Sequence, residues 1–227
     1  MEKKHYAVAL DGPSGAGKST LAKAVAEALR ITYVDTGAIY RVIGLHVSRR
    51  GAEPRDEEAV KALLPEIKIG MEHGADGTQR MYLNGEDVSD AIRLPEISLY
   101  ASAVSALPAV RAFLLEMQRT LAREQSVIMD GRDIGTVVLP DAEVKLFLTA
   151  DAEVRAKRRF AELTQRGTPK PYDEVLAELK ERDWNDVHRA VSPLKAAEDA
   201  VTIDTSALDF EQSKELLLRT IREKAEL

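Results

Sequence analysis

Gly12-Pro-Ser-Gly-Ala-Gly-Lys-Ser19 is the stretch that decides the fold. It fits the pattern G-x-x-x-x-G-K-[ST], a loop that binds phosphate. Gly12, Gly15 and Gly17 let the backbone turn tightly, so that successive N–H groups point inward at one phosphate. Lys18 adds a charge that can reach the β- and γ-phosphates, and the Ser19 hydroxyl is placed to ligate Mg²⁺. The flanks supply the context the pattern needs. Tyr6-Ala-Val-Ala-Leu10 reads as a buried strand, and Leu21, Val25 and Leu29 recur at helical spacing. The helix N-terminus then adds its dipole to the phosphate site.

Composition narrows the class. The 227 residues suffice for one α/β domain with insertions, and 44% are hydrophobic, enough for a substantial core. The formal net charge of −6 argues against a nucleic-acid polymer as ligand, since that needs a basic footprint. There is no cysteine, which excludes disulfides and thiolate metal sites. The N-terminal apolar run meets Asp11 too soon for a signal-peptide core, and no stretch approaches a membrane span. A cytoplasmic protein with no membrane partner is the expectation.

Working outward, Ile31 to Val34 reads as a second strand, followed by Asp35-Thr-Gly-Ala-Ile-Tyr-Arg41. A helix is expected from Tyr40 to about Arg50, and Asp56 can cap a shorter one. From Ile67 the period changes to two. Gly74-Ala-Asp-Gly77 reads as a turn and Asn84-Gly85 as a hairpin, which predicts a small antiparallel sheet. Helices starting at Pro95 and Pro108 follow, the second with Val110, Leu114, Met117 and Leu121 on one face. Ser126 to Asp130, Val144 to Leu148 and Val201 to Ile203 complete the strands. Asp209 and Gln212 form a capping-box pattern for the last helix. Strands alternating with helices imply a doubly wound α/β fold with a five-stranded parallel sheet. Ligands in such sheets bind beyond the carboxyl ends of the strands. The loop at Gly12, the Asp35-Thr36 pair and the segment from Asp130 to Asp133 should therefore share one crevice.

Asp130 ends an apolar strand, where it can stand near a metal or serve as a simple turn residue. Arg132 and Asp133 can contact a phosphate and a base edge; position alone does not divide the roles. Arg182, Asp186 and Arg189 lie at i, i+4 and i+7, which on a helix is one face. That face is either a solvated ion-pair stripe or part of an arm that closes on phosphates. The basic run Arg155, Lys157, Arg158 and Arg159 points in several directions on a helix. Phosphoryl transfer needs cations on the transferred group, and an arm that brings them late would also exclude water.

Taken together, these blocks resemble bacterial cytidylate kinase, a family of the nucleoside monophosphate kinase fold. The resemblance rests on Asp11 to Thr20, Asp35 to Arg41, Asp130-Gly-Arg-Asp-Ile-Gly-Thr136 and Arg182-Asp-Trp-Asn-Asp-Val-His-Arg-Ala-Val-Ser-Pro-Leu194. It covers the whole chain. It implies transfer of a phosphoryl group from ATP to CMP or dCMP with Mg²⁺, by a monomer. Gly12, Pro13, Ser14, Gly15, Ala16, Gly17, Lys18, Ser19 and Thr20 would hold ATP, joined by Arg158 and Arg159, with Ser19 on the metal. Thr36, Arg41, Ser102, Arg111, Arg132, Asp133, Arg182, Asp186 and Arg189 would surround CMP. Of these, Ser102, Arg111 and Asp133 would face the cytosine and Asp186 the sugar. Arg41, Arg132, Arg182 and Arg189 would face phosphate. Lys18, Arg132, Arg182 and Arg189 would act on the transferred group. The chain is then one P-loop kinase domain over residues 1–227. Residues 37–112 would form an acceptor lobe including the hairpin insertion 67–88, and residues 155–189 a mobile helical lid. Thr36 stands where the family often has serine, and Ser19 where some members have glycine. Other readings are a kinase for UMP, AMP or a non-nucleotide, and a GTP-dependent switch; the switch needs an N-K-x-D signature, which the chain lacks.

Overall fold

A computed structural model describes residues 5–74, 78–165 and 167–226. The elements run in the order β1 (Ala7–Asp11), α1 (Lys18–Leu29), β2 (Thr32–Asp35), α2 (Thr36–Arg49), α3 (Glu57–Leu63), β3 (Ile69–His73), β4 (Gln79–Leu83), β5 (Glu86–Asp87), α4 (Pro95–Val104), α5 (Pro108–Glu124), β6 (Val127–Gly131), β7 (Val144–Thr149), α6 (Ala152–Gln165), α7 (Tyr172–His188), β8 (Val201–Asp204) and α8 (Phe210–Lys224). Five strands form a parallel sheet in the order β2-β6-β1-β7-β8, and β3-β4-β5 form the inserted antiparallel sheet.

Alternation along β1 splits the core into two layers. Val8 and Leu10 point to one face and pack with Leu21 and Val25 of α1 and Leu217 and Ile221 of α8. Ala7 and Ala9 point to the other, with Ile39 and Ile43 of α2 and Val110 and Leu114 of α5. Side chains of successive strand residues leave on opposite faces, so a strand buried on both sides is apolar throughout. Met81 and Leu83 of the inserted sheet join the α2 layer. The insertion therefore shares the main core. Helices α6 and α7 instead close on a small cluster of their own, Ala156, Val175 and Leu179.

Gly12 shows why the chain turns where it does. It has φ 146°, and a Cβ there would stand 2.0 Å from the Leu148 carbonyl oxygen. Only glycine lets the loop leave β1 this close to β7.

Two local expectations need correcting. Helix α2 begins at Thr36, because the Asp35 side chain accepts from the Ala38 N–H at 2.9 Å and caps it there. Thr36 and Arg41 thus stand on its first turns. Helix α7 ends at His188, with Arg189 extended at φ −61° and ψ 140°, so Arg189 is not on the helical face of Arg182 and Asp186. On α5 the expected face stands: Met117 and Leu121, partly buried, pack against the same core as Val110 and Leu114, with Gln118 buried beside them. The capping box of α8 and the Asn84-Gly85 turn stand as read. Residues 75–77 of the turn read at Gly74 to Gly77 lie outside the described residues.

Candidate active site

The loop after β1, the start of α2 and the loop after β6 meet at the carboxyl end of the parallel sheet. Lys18 is 6% exposed, and its Nζ donates to the carbonyl oxygens of Gly12 and Pro13, both at 2.8 Å. Burial, and after it the charge of Arg132, pushes its pKa well down. The bonds it makes are to neutral carbonyls of a phosphate loop, so an arriving anion would compete for it on favourable terms.

Asp130 ties three elements together. Ser19 Oγ donates to its Oδ2 at 2.6 Å, the Tyr33 hydroxyl donates to its Oδ1 at 3.2 Å, and Thr36 Oγ1 donates to its backbone carbonyl at 2.7 Å. Burial, and then the nearby Asp35 carboxylate, pushes Asp130 up to about 6. Asp11 carries the loop on the other side of β1. Its two oxygens accept from the N–H groups of Ile134 and Gly135 at 2.8 and 2.7 Å. Burial raises its pKa to about 6 despite those bonds. It fixes the turn that follows Arg132 and Asp133.

A hydroxyl and a buried carboxylate in contact form a hard, all-oxygen donor pair, suited to a small divalent cation that also takes phosphate oxygens. The carboxylate raised by a second carboxylate nearby is chemistry that a cation would relieve. Among the described residues no three His, Cys, Asp or Glu side chains converge as a metal cage.

The acceptor side is a network of arginines and fewer carboxylates. Asp133 is buried between Arg111, which hydrogen-bonds its Oδ2, and Arg189, whose Nη2 lies 3.7 Å from its Oδ1. Arg132 Nε donates to Asp186 Oδ2 at 2.7 Å. Burial acts to raise Asp186, but the charge and hydrogen bond of Arg132, with Arg182 and Arg189 behind, hold its pKa down. Arg41 Nη1 stands 3.6 Å from Asp35. Arg182 has no hydrogen bond or ion pair among the described residues. Its pKa falls to about 10, through desolvation first and Arg132 next. It stays charged at neutral pH. Beside this network a cavity of about 180 Å³ is lined by Tyr40, Arg111, Gln118, Val138 and Ser192.

Most of the residues picked from sequence thus share one crevice, and three do not join it directly. Arg158 turns to Thr205, donating to its Oγ1 and carbonyl at 3.2 and 2.7 Å. Arg159 is exposed and pairs with Glu162 at 2.8 Å. Ser102 is exposed on α4. Its carbonyl accepts from Ser105 Oγ at 2.9 Å, and the Ser105 carbonyl accepts from Arg111 Nη1 at 3.0 Å. Thr36 is in place, with its hydroxyl turned to Asp130.

Sequence reading gave no role to Asp11, Arg155 or Asp183. Arg155 is 5% exposed and donates to the carbonyls of Ala150 at 2.7 Å and of Ser14 at 2.9 Å. Its Nη2 meets Asp183 Oδ2 at 2.7 Å. One buried guanidinium therefore joins the phosphate loop to α7. For Asp11 a signal existed: a carboxylate closing an otherwise apolar strand needs donors nearby.

Comparison with known proteins gives a consistent picture. A sequence model of the family described as cytidylate kinase matches residues 8–223. A cytidylate kinase of Caldicellulosiruptor bescii is 49% identical over 209 residues, which is 92% of each chain. One from Thermosipho melanesiensis is 46% identical over 97% of this chain and 98% of its own. Among solved structures, an uncharacterized protein from Eubacterium ventriosum superposes with TM-score 0.51 at 16% identity, covering 97% of this chain and 99% of its own. That likeness concerns the fold alone.

Proposed function

The chain belongs to the cytidylate kinase family, and from that premise we propose which of its side chains move the γ-phosphoryl group of ATP to CMP. The activity is that of a kinase of pyrimidine nucleotide metabolism, forming CDP and ADP, with dCMP as the deoxy counterpart. In our reading the backbone from Gly12 to Thr20 cradles the ATP phosphates at the N-terminus of α1. Lys18 leaves the carbonyls of Gly12 and Pro13 for the β- and γ-phosphates. Arg132, Arg182 and Arg189 hold the transferred group and the acceptor phosphate in line, with Arg41 on the acceptor. The attacking phosphate oxygen is already an anion, so positioning and charge neutralisation carry the rate.

Asp133, held by Arg111 and Arg189, reads the cytosine amine, and Asp186 takes the sugar. Ser19 and Asp130 would hold Mg²⁺, which would supply positive charge for the transfer. Ser102 reaches the base through the turn at Ser105. Arg158 and Arg159 serve ATP only by leaving Thr205 and Glu162, which makes them the weakest members of the set. Residues 37–112 act as the acceptor lobe and residues 155–189 as the lid, supported by the separate small core of α6 and α7. We take the chain to act as a monomer. No single helix among the described residues is long and apolar enough to cross a membrane, and the cytoplasm is where we place the enzyme.

The observation that carries this reading is the surplus of arginines around Asp133 and Asp186, beside a phosphate loop. Coupled measurement of ADP formation from ATP across CMP, dCMP, UMP, AMP and shikimate tests it. CMP and dCMP should dominate; comparable turnover of UMP, AMP or shikimate would defeat it.

A further inference from the structure

We infer that Gln79, on the inserted sheet, is a positioning residue for the acceptor nucleotide, acting through the main chain of Asp35 on Arg41. This rests on the reading that Arg41 holds the CMP phosphate.

The starting point is the open side of β2. That strand pairs with β6 along one edge, Asp35 opposite Asp130, and is the last strand of the parallel sheet on its side. Its outward main-chain groups at Tyr33 and Asp35 have no strand partner, and such an edge must be covered or left wet. Two side chains of the insertion cover it. His73 Nε2 bonds the Tyr33 carbonyl at 2.8 Å. Gln79 Oε1 accepts from the Asp35 N–H at 2.8 Å, and Gln79 Nε2 donates to the Asp35 carbonyl at 3.3 Å. His73 and Gln79 are directly opposite each other in the β3–β4 ladder. The cross-strand pair thus continues the sheet with side chains in place of a sixth strand.

The Gln79 amide grips both main-chain groups of one residue, and that residue has two further tasks. The Asp35 side chain caps α2 through the Ala38 N–H, and it pairs with Arg41. A shift of the Asp35 backbone therefore moves the first turn of α2 and the anchor of Arg41 together. Gln79 is 5% exposed, and its Nε2 also donates to Met81 Sδ at 3.1 Å. A residue needed only for packing there would be better apolar, since a buried amide is costly unless its bonds are made. Its chemistry is matched to Asp35.

The test is steady-state kinetics with CMP and ATP varied separately, on Gln79→Met, Arg41→Ala and the double variant. Gln79→Met keeps length and burial but loses both bonds. It should raise KM for CMP about tenfold, as loss of roughly one to two net hydrogen bonds implies, and leave KM for ATP within twofold. If Gln79 acts through Arg41, the double variant should be little worse than Arg41→Ala alone. A lowered Tm with unchanged KM for CMP, an equal rise for both substrates, or additive effects would each overturn the inference. Arg41→Ala with normal KM for CMP would instead overturn the reading of Arg41. Should Gln79→Met not fold, Gln79→Glu, which keeps an acceptor for the Asp35 N–H, carries the same comparison and must show the same selective rise.

Discussion

Ser19 Oγ donates to Asp130 Oδ2 at 2.6 Å, so the last residue of the phosphate loop is joined to the end of β6. That bond sets the spacing of the loop and the carboxylate. Ser19→Ala removes the hydroxyl and leaves Asp130 with Tyr33 as its remaining side-chain donor. We expect the Mg²⁺ concentration for half-maximal activity to rise several-fold, with a loss at saturating Mg²⁺ of about tenfold to a hundredfold, the worth of one charged hydrogen bond. A Mg²⁺ titration of wild type and variant decides it; superimposable curves would remove Ser19 from the metal.

Lys18 gives a larger effect by a different route. Its Nζ donates to the carbonyls of Gly12 and Pro13, and in the proposed reading its charge serves the transferring phosphate. Lys18→Ala should lower kcat by roughly 10²–10³ or more, as loss of a donor to developing charge does. The loop carbonyls can turn to water, so the fold should persist. A folded variant with near-normal turnover, checked by circular dichroism and the ADP assay, contradicts the assignment.

Much of this was legible in the sequence because the signals are local. The loop, the period-two insertion and the capping box each fix their geometry within a few residues. What escaped depends on distant approach. Nothing near Gln79 says that it meets Asp35, 44 residues away. The basic run on α6 could be seen, but not which member turns inward: Arg155 goes to Ser14, while Arg158 goes to Thr205, 47 residues on. Arg189 was placed on a helix that stops one residue short of it, yet it still reaches Asp133.

The arm should respond to ligand. Arg182 makes no hydrogen bond or close ion pair among the described residues, α6 and α7 hold a core of their own, and residues 167–171 between them are exposed. Limited proteolysis should cut this connection readily in the free enzyme and slowly with a bisubstrate nucleotide mimic bound. Equal cleavage in both states would count against closure.

Asp11 gives a pH signature. Its folded pKa of about 6 lies above the ordinary 3.8, so between those values the native state holds a proton that the unfolded chain has released. Stability from this group therefore falls as pH rises through that window and is flat above it, by up to about 3 kcal/mol. Asp11→Asn cannot titrate. Urea unfolding of both proteins from pH 4.5 to 7 should show the wild type losing ground to the variant as pH rises. A constant difference across the range would mean that burial does not perturb Asp11.

In the proposed reading, base selection turns on Asp133. Cytosine presents an exocyclic amine, a donor, where uracil presents a carbonyl acceptor. An ionised carboxylate only accepts, so it attracts the one and repels the other. Asp133 is buried, and Arg111 and Arg189 on its two oxygens fix its direction. A site built around one hydrogen-bonding group can discriminate by as much as ~10⁴. Asp133→Asn keeps the shape and offers either donor or acceptor. The ratio of kcat/KM for CMP over UMP should then collapse toward parity, mainly through a gain for UMP relative to CMP. If Asp133 serves only to hold Arg111 and Arg189, the variant should slow both substrates alike. An unchanged ratio at a lower overall rate would therefore assign Asp133 to the arginines and leave the base to another reader.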